Sequence, residues 1–405
     1  MNETKSFNIP KSLVYEAYKR VKANKGSAGV DGESLKAFET DLSANLYKLW
    51  NRMSSGSYFP SPVKRVFIAK LDGSLRPLGI PTVADRIAQM VVRLQIEPEL
   101  DAIFHENSYG YRAGKSAHQA LRVVNQRNNL RAWVLDIDIQ SFFDTIDHDL
   151  LQKALNRHVK DRWQMLYIQR WLTAPVQEPS GELVEPTQGT PQGGVISPLL
   201  ANLFLHYVFD SWMEKHWYGI QFVRYADDIV CHCKTEEQAK ALREALEQRF
   251  IDCGLKMHPE KTKIVYCKGC RFRGDYPAVS FDFLGYSFQP RWIKIRTGQQ
   301  ALFFMAAISA KAAKSIRNAI NSWPWAYWYS LELVDIRKYA HSRIKGWMQY
   351  FALFGKGFIR DVLFHFDKRL SRWALRKYRK LETLMQAAKR VNWARKRYPG
   401  AFAHW

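Results

Sequence analysis

Two short apolar runs on either side of one acidic motif predict a β-hairpin. The runs are residues 221–224 and 229–232, and Tyr225-Ala226-Asp227-Asp228 lies between them. Apolar runs of this length, separated by turn residues, are typical of paired strands. The hairpin would place two adjacent carboxylates at an exposed turn. Neighbouring acids repel each other, and a cation between them relieves that repulsion.

A second apolar run, residues 133–139, carries another acidic pair. Asp136 and Asp138 are two residues apart and therefore lie on one face of the predicted strand. The surrounding Val and Ile residues indicate a buried strand, in which an acid needs a cation or an arginine nearby. Asp138, Asp227 and Asp228 together form a candidate Mg²⁺ site, because Mg²⁺ takes one or two carboxylates and completes its shell with water and phosphate oxygens.

The last part of the chain has a helical pattern. We predict helices over residues 305–319, 331–354 and 358–381, with Gly355 and Gly357 separating the second from the third. Four arginines in the third helix recur every three or four residues, and would form one stripe suited to an RNA backbone. They are Arg369, Arg372, Arg376 and Arg379.

The charge is concentrated in the same region. Of the formal net charge of +23, residues 291–405 contribute 24 Lys and Arg against 5 Asp and Glu. Such a basic block predicts a polyanion-binding surface whose affinity falls with salt. Aromatic side chains in the block would pack the core or stack on unpaired bases. Among them are Trp323, Trp325, Trp328, Trp347 and Trp373.

Further motifs follow in one order along nearly the whole chain. They are residues 17–32, 66–82, 108–112 (Ser-Tyr-Gly-Tyr-Arg), 188–194 (Gln-Gly-Thr-Pro-Gln-Gly-Gly), 197–198 and 283–286 (Phe-Leu-Gly-Tyr). With Asp-Ile-Gln-Ser-Phe-Phe-Asp at 138–144 and the Tyr-Ala-Asp-Asp motif, this series resembles the reverse transcriptases encoded by bacterial group II introns. The resemblance is to the form without a C-terminal HNH endonuclease domain.

The resemblance implies an α+β fold, a right-hand polymerase followed by a helical domain. Fingers and palm would occupy residues 1–290, with an N-terminal extension over 1–60, mainly fingers over 61–130, and mainly palm, with an antiparallel sheet, over 131–290. A basic α-helical thumb/maturase region would follow over 291–405. A chain of 405 residues is long enough for two or three such subdomains.

The resemblance also implies a two-metal polymerase. Asp138, Asp227 and Asp228, with the backbone carbonyl of Ile139, would hold two Mg²⁺ ions, for which Mn²⁺ is a possible substitute. Asp136 is interpreted as supporting the site, although the sequence leaves it open as a ligand. Asp144 is given the same supporting role.

Substrate contacts are carried over in the same way. In the fingers hairpin, Lys70 and Arg76 would grip the dNTP triphosphate, and Gln192 would contact the nucleotide. Phe143 would lie under its sugar and exclude a 2′-hydroxyl. A solvated hairpin and a core phenylalanine remain the alternatives for these positions.

Two further residues receive roles with open alternatives. Lys261 is a candidate proton donor to pyrophosphate. Lys263 competes for that role, and either lysine is equally well read as a surface residue. Arg112 is a candidate contact to the template–primer.

The expected partners are an intron or template RNA, an RNA/DNA primer–template duplex and dNTPs, with the oligomeric state open. No run of about 20 apolar residues is present, so no membrane contact is expected. The absence of a leader and five cysteines without an even framework predict a cytoplasmic protein, associated with the nucleoid when acting on DNA. The single Cys267-x-x-Cys270 pair makes a zinc site a minor alternative.

The functional prediction is RNA-directed DNA synthesis together with intron binding and splicing as a maturase, within a mobile element. The alternatives are a host-adopted relative in DNA repair or phage defence and an RNA-folding factor with little polymerase activity. A retron or diversity-generating enzyme would share the palm, but it would differ at residues 17–32 or at Ser197-Pro198.

Overall fold

The structure of the protein is a computed structural model, and it describes residues 6–69, 75–295 and 297–405. A π-helical turn at His206–Asp210 and a 3₁₀ turn at Trp328–Ser330 accompany the α-helices. The α-helices are α1 Lys11–Asn24, α2 Leu35–Thr40, α3 Leu42–Ser54, α4 Val83–Ile103, α5 Ala117–Asn128, α6 Phe142–Thr145, α7 His148–His158, α8 Arg162–Leu172, α9 Ser197–Leu205, α10 Ser211–His216, α11 Glu236–Asp252, α12 Ala310–Asn321, α13 Leu333–Phe351, α14 Lys356–Lys377 and α15 Leu384–Arg397.

The strands are shorter than the helices and belong to several small sheets. Helices and mainly antiparallel strands together confirm the α+β class. The strands are β1 Val63–Ala69, β2 Leu75–Ile80, β3 Trp133–Ile137, β4 Val176–Gln177, β5 Leu183–Val184, β6 Gln221–Tyr225, β7 Asp228–Cys233, β8 Lys263–Tyr266, β9 Phe281–Phe283, β10 Tyr286–Lys294 and β11 Gln300–Ile308.

The chain forms two compact units. The first contains residues 1–116 and 135–263, and the second contains residues 117–134 and 264–405. These two units are groups of residues that contact one another. Fingers, palm and thumb are instead defined by their positions around a bound template. The predicted boundary at residue 290 therefore stays a prediction. None of the described helices is both long enough and apolar enough to cross a membrane.

In the first unit, the predicted acidic hairpin is present. Strands β6 and β7 are antiparallel, with Tyr225 opposite Asp228, and β7 lies between β6 and β3. Ala226 has φ 57°, a left-handed conformation that lets the chain reverse within two residues. Because β6 and β7 are almost entirely buried, the turn rises from a fixed base.

A second hairpin of the first unit is formed by β1 and β2. These strands are antiparallel, with Ala69 opposite Leu75, and β1 also pairs in parallel with β4. The sequence-predicted contact Lys70 lies outside the described residues. Ala69 at the end of β1 and Leu75 at the start of β2 are exposed.

A buried ion pair fastens the acidic hairpin to the helices behind it. The side chains of Arg224 in β6 and Asp210 at the end of the π-helical turn are both fully buried, and the guanidinium binds both carboxylate oxygens. The remaining guanidinium nitrogen donates to Asn202 Oδ1 at 2.9 Å and to the carbonyl of Ala226 at 3.2 Å. The carbonyl of Ala226 belongs to the turn itself, so the Arg224 side chain connects the turn to Asp210 and Asn202.

The second unit is built on β9–β11 and helices α12–α15. Strands β10 and β11 form a long antiparallel hairpin, and β9 pairs with the other edge of β10. The five tryptophans named from the sequence belong to the helical core: Trp323, Trp325, Trp328 and Trp373 are buried within it, and Trp347 packs against it.

Three sequence-based helix predictions need correction. Residues 305–308 are the end of β11 and not helix, because this run pairs with β10; α12 begins after Ser309, whose hydroxyl accepts from the amide of Ala312. Gly357 lies inside α14, and residues 352–355, of which Gly355 is the glycine, separate α14 from α13. Helix α14 ends at Lys377, so Arg379 lies in the following turn.

We expect Arg224→Met to lower the free energy of unfolding by about 3–5 kcal/mol, because it leaves the buried Asp210 carboxylate uncompensated. Urea denaturation of the full chain measures this loss. The double variant Arg224→Met/Asp210→Leu should recover much of it, since both charges are then removed. Arg20→Met is the control, because Arg20 pairs with Glu16 at the exposed surface. Equal stability of the Arg224→Met and Arg20→Met proteins would contradict the role of the buried pair.

Candidate active site

The three predicted carboxylates lie close enough to influence one another. Asp138 directly follows β3, Asp227 lies in the turn, and Asp228 begins β7. Burial raises the pKa of Asp228 to about 7, with further contributions from the charges of Asp227 and Asp138. Burial and then Asp138 likewise raise the pKa of Asp227. The three carboxylates therefore concentrate negative charge at this site, and the neighbouring protein groups balance only part of it.

The donor set fits a divalent cation that is completed by substrate. Within the described part of the chain, no group of three or more His, Cys, Asp or Glu side chains is arranged to hold a metal by itself. Mg²⁺ does not require one, because it commonly keeps several waters and uses one or two carboxylates together with substrate phosphates. Asp228 remains accessible to water although many protein atoms surround it, as such a shared site requires.

A loop on the other side of Asp138 fixes its position. The carbonyl of Asp138 accepts from the amide of His258 at 2.8 Å, and the amide of Gln140 donates to the carbonyl of Lys256 at 2.9 Å. Ile139 forms a bridge with Met257 between them. The role of the Ile139 carbonyl as a metal ligand stays a prediction.

The same loop brings Lys261 to the acidic site. Its ammonium lies 3.5 Å from Asp138 Oδ2 and its side chain is 59% exposed. Its charge also opposes the rise in the pKa of Asp228. Lys263 begins β8, and no ion pair is seen for it among the described residues. Of the two candidates, Lys261 has the geometry of a group that acts at the carboxylates.

The predicted nucleotide contacts Arg76 and Gln192 meet each other. Arg76 Nε donates to Gln192 Oε1 at 2.7 Å, and the amide of Gly79 donates to the Gln192 carbonyl at 2.7 Å. A Cβ added to Gly193, which has φ 118°, would lie 2.4 Å from the Gly79 carbonyl oxygen. Glycine is therefore required where strand β2 and this loop approach each other.

Residues 188–197 form a loop anchored from several sides. The amides of Gly189 and Thr190 donate to the carbonyls of Ile146 and Phe143, each at 2.7 Å. Buried Gln89 accepts from the amide of Val195 at 2.7 Å. Sequence reasoning missed Gln89, since nothing in the sequence of a helix identifies a loop partner about a hundred residues away.

A cavity of about 160 Å³ lies beside this loop. It is bounded by β1, β2 and the loop, with Arg65, Asp144 and Gln192 among its polar lining groups. Burial raises the pKa of Asp144, and the charges of Arg65 and Arg76 oppose the rise. Asp144 lines the cavity, whereas its chain neighbour Phe143 is 7% exposed and is not among the residues that line it. The contact of Phe143 with the nucleotide sugar stays a prediction.

The acidic turn rests on a backbone segment that the sequence identified only as a motif. The amide of Tyr109 donates to the carbonyl of Arg224 at 2.8 Å, and Asn202 Nδ2 donates to the Gly110 carbonyl at 2.8 Å. A Cβ on Gly110 would lie 2.4 Å from the amide nitrogen of Ala226. The charged Arg224 within an apolar run is the signal in the sequence that indicates this support.

The arginines predicted to contact RNA fall into two groups. Arg112 is held within the protein: its guanidinium donates to Asp101 Oδ1 at 2.6 Å and to three backbone carbonyls. Its contact to template–primer stays a prediction without geometric support. On α14, Arg369 lies 5.6 Å from the Trp325 ring centre, and Arg372 and Arg376 are close enough to help lower its pKa, after burial as the main cause. The predicted stripe thus exists over these three residues.

Comparison with known proteins agrees with this geometry. The profile of the reverse transcriptase (RNA-dependent DNA polymerase) family matches residues 68–288, which include the three carboxylates, Arg76, Phe143 and Gln192. Protein YkfC of Escherichia coli K12 is 31% identical over 361 residues, covering 79% of this chain and 90% of that protein. The group II intron-encoded protein LtrA of Lactococcus lactis subsp. cremoris is 34% identical over 197 residues. That alignment spans 48% of this chain but only 32% of LtrA.

The chain therefore belongs to the reverse transcriptase family, and its relatives include group II intron-encoded proteins. The predictions of an RNA-directed DNA polymerase and of a right-hand polymerase fold are confirmed. Among solved structures, telomerase from Candida albicans in complex with a fragment of telomeric RNA overlaps 91% of this chain and 67% of that one, with 10% identity and a TM-score of 0.49.

The raised pKa of Asp228 predicts a pH-dependent stability. Because its folded-state pKa, about 7, lies above the ordinary value of 3.8, the folded protein holds this proton more tightly than the unfolded chain. The proton on Asp228 therefore adds its full contribution to the free energy of unfolding below about pH 4, and this contribution is lost as the pH rises toward 7. Asp228→Asn should gain stability relative to the unaltered protein over that range.

Urea unfolding at several pH values between 4 and 8, with chelator present, measures the difference. Glu247→Gln, an exposed substitution on α11, is the control. A constant difference between the Asp228→Asn and unaltered proteins across this range would show that Asp228 does not titrate there.

Proposed function

We propose that this protein extends the 3′-hydroxyl of a primer on an RNA template, using dNTPs, at Asp138, Asp227 and Asp228. The observation that carries this proposal is the proximity of the three carboxylates, beside the contact between Arg76 and Gln192. The charge of Asp138 raises the pKa of Asp227, and the charges of both raise the pKa of Asp228. In the reaction, the primer oxygen forms a bond to the α-phosphorus of the dNTP, and the bond from that phosphorus to the bridging oxygen of pyrophosphate breaks.

The acidic residues would hold the divalent metal that reverse transcriptases generally use. We propose Mg²⁺, with Mn²⁺ as a substitute; it supplies a Lewis acid at the reacting phosphate and lowers the pKa of the primer hydroxyl. Two carboxylates come from a rigid turn and the third from the end of β3, so their relative positions depend on backbone pairing rather than on flexible side chains.

The remaining roles follow from position. Arg76 binds the triphosphate through its planar guanidinium, and Gln192 contacts the nucleotide from the glycine-rich loop. Lys261, next to Asp138, donates a proton to the departing pyrophosphate. Phe143 occupies the space that a 2′-hydroxyl would need. Lys70 keeps its proposed triphosphate contact on the strength of the resemblance alone.

The RNA partner is proposed from charge. Residues 291–405 contain 24 basic and 5 acidic residues, and the arginines of α14 lie on one helix. We propose that this surface binds intron or template RNA and supports splicing of a group II intron, as expected for a maturase. A host-adopted reverse transcriptase in DNA repair or phage defence would need the same active site and differ in its RNA.

Asp227→Asn/Asp228→Asn should abolish incorporation of dNTPs on a primed RNA template with Mg²⁺, because the variant loses the charges that bind the metal. Primer extension followed on denaturing gels measures the activity, and Glu247→Gln serves as the control. Synthesis by the double variant at the control's rate would remove these residues from the mechanism.

Phe143→Ala should lower the preference for dNTPs over rNTPs by about 10²-fold, the discrimination that one hydroxyl group typically brings. The ratio of kcat/KM for the two nucleotides measures it. Phe143→Tyr keeps the ring and should keep the preference. If both variants discriminate as the unaltered protein does, Phe143 is a core residue and not the sugar-contact residue.

A further inference from the structure

The second unit contains an aromatic pocket that no proposed step of DNA synthesis uses. It encloses about 300 Å³ between the start of α13, the end of α14 and α15. We call this site the aromatic pocket, and its main lining residues are Leu370, Trp373, Tyr378, Arg390, Trp393 and Tyr398.

Its inner wall is fixed and its outer wall is exposed. Trp373 is 5% exposed, and its indole Nε1 donates to the carbonyl of Trp328 at 2.7 Å, so this ring has one orientation. Trp393 and Tyr398 are 57% and 52% exposed. These two rings stand 6.5 Å apart and nearly perpendicular to each other. An aromatic surface left open to water in this way is suited to stacking against another flat ring.

The charge around the pocket is positive. The guanidinium carbon of Arg390 lies 4.1 Å from the centre of the Tyr378 ring. Helix α15 also carries Lys389, Arg395, Lys396 and Arg397, and it contains no acidic residue. The acid in the lining, Glu332, is paired with Lys377 at 2.8 Å, so its charge is balanced within the protein.

Size and charge together define the ligand. A volume of about 300 Å³ is at the small end for ligand sites, and it accommodates one planar ring system better than the apolar face of a helix. The basic rim requires that this ring be attached to an anion. Unpaired nucleotides of RNA combine both properties, since the base stacks on aromatic rings while its phosphate binds arginine.

We propose that the aromatic pocket binds a single unpaired base of an RNA, stacked on one of the rings of Trp393 and Tyr398 and in edge contact with the other, with an adjacent phosphate on Arg390. This proposal rests on the proposed RNA binding of residues 291–405 and deepens it. The basic surface would supply affinity that is independent of sequence and structure, whereas the pocket would select positions at which the RNA is single-stranded.

The test is the affinity of the full chain for a fluorescently labelled single-stranded oligoadenylate, measured by anisotropy without primer or dNTPs. Trp393→Ala and Tyr398→Ala should each weaken binding by about 5- to 150-fold, the effect of losing one base–aromatic stack of about 1–3 kcal/mol. Tyr218→Ala is the control, because Tyr218 is an aromatic residue that is 95% exposed, lies outside residues 291–405 and does not line the pocket.

A second oligomer separates base from backbone. On an abasic oligomer of the same length, the Trp393→Ala and unaltered proteins should bind equally, whereas Arg390→Gln should weaken binding to both oligomers and reduce the salt dependence by about one phosphate. Both aromatic variants are of exposed side chains, and unchanged thermal unfolding would show that they fold.

Three results would overturn the pocket proposal. The first is an affinity of both aromatic variants equal to that of Tyr218→Ala, and the second is a loss of the same size on the abasic oligomer. The third is weakened binding only of a labelled acidic peptide containing phenylalanine. The last result would assign the pocket to a protein partner. Because this assay requires no synthesis, failure of the polymerase proposal in primer extension and failure of the pocket proposal here are separate results.

Discussion

The active site depends on a buried ion pair that lies beneath it and does no chemistry. Arg224 and Asp210 are both removed from water, so each is stable only while the other is present. Arg224 also donates to the carbonyl of Ala226. Because separating the buried pair costs free energy, Arg224 stays in place and keeps the turn attached to the residues beneath it. Two carboxylates that repel each other are thereby kept together when no cation is bound.

The loop of residues 188–197 plays the corresponding part on the substrate side. Its backbone is hydrogen-bonded to segments next to Phe143 and to strand β2, and Gln89 binds it from α4. The proposed sugar contact, triphosphate contact and nucleotide contact are therefore linked by short backbone bonds rather than by side-chain packing alone. These backbones approach so closely that no Cβ fits between them, which explains why glycine occurs at positions 189 and 193.

The sequence predicted what local chemistry determines and missed what only folding brings together. The acidic hairpin and the strand before Asp138 follow from alternation and turn residues. The pairing of Arg224 with Asp210 joins residues 14 positions apart, and that of Gln89 with Val195 joins residues 106 apart, so neither has a local signature. Residues 305–308 were mistaken for helix because Ala, Met and Ile suit both states, and pairing with β10 decides between them. The end of α14 at Lys377 depends on the extended conformation of Tyr378, which periodicity does not show.

The hydrogen bond between Arg76 and Gln192 means that the two side chains proposed to contact the nucleotide are already paired with each other. If both bind the nucleotide as proposed, this hydrogen bond must break first. A dNTP that engages both side chains replaces the lost partner of each, whereas a ligand that reaches only one of them leaves the other without its partner. The resting contact would then disfavour ligands that engage only one of the two side chains.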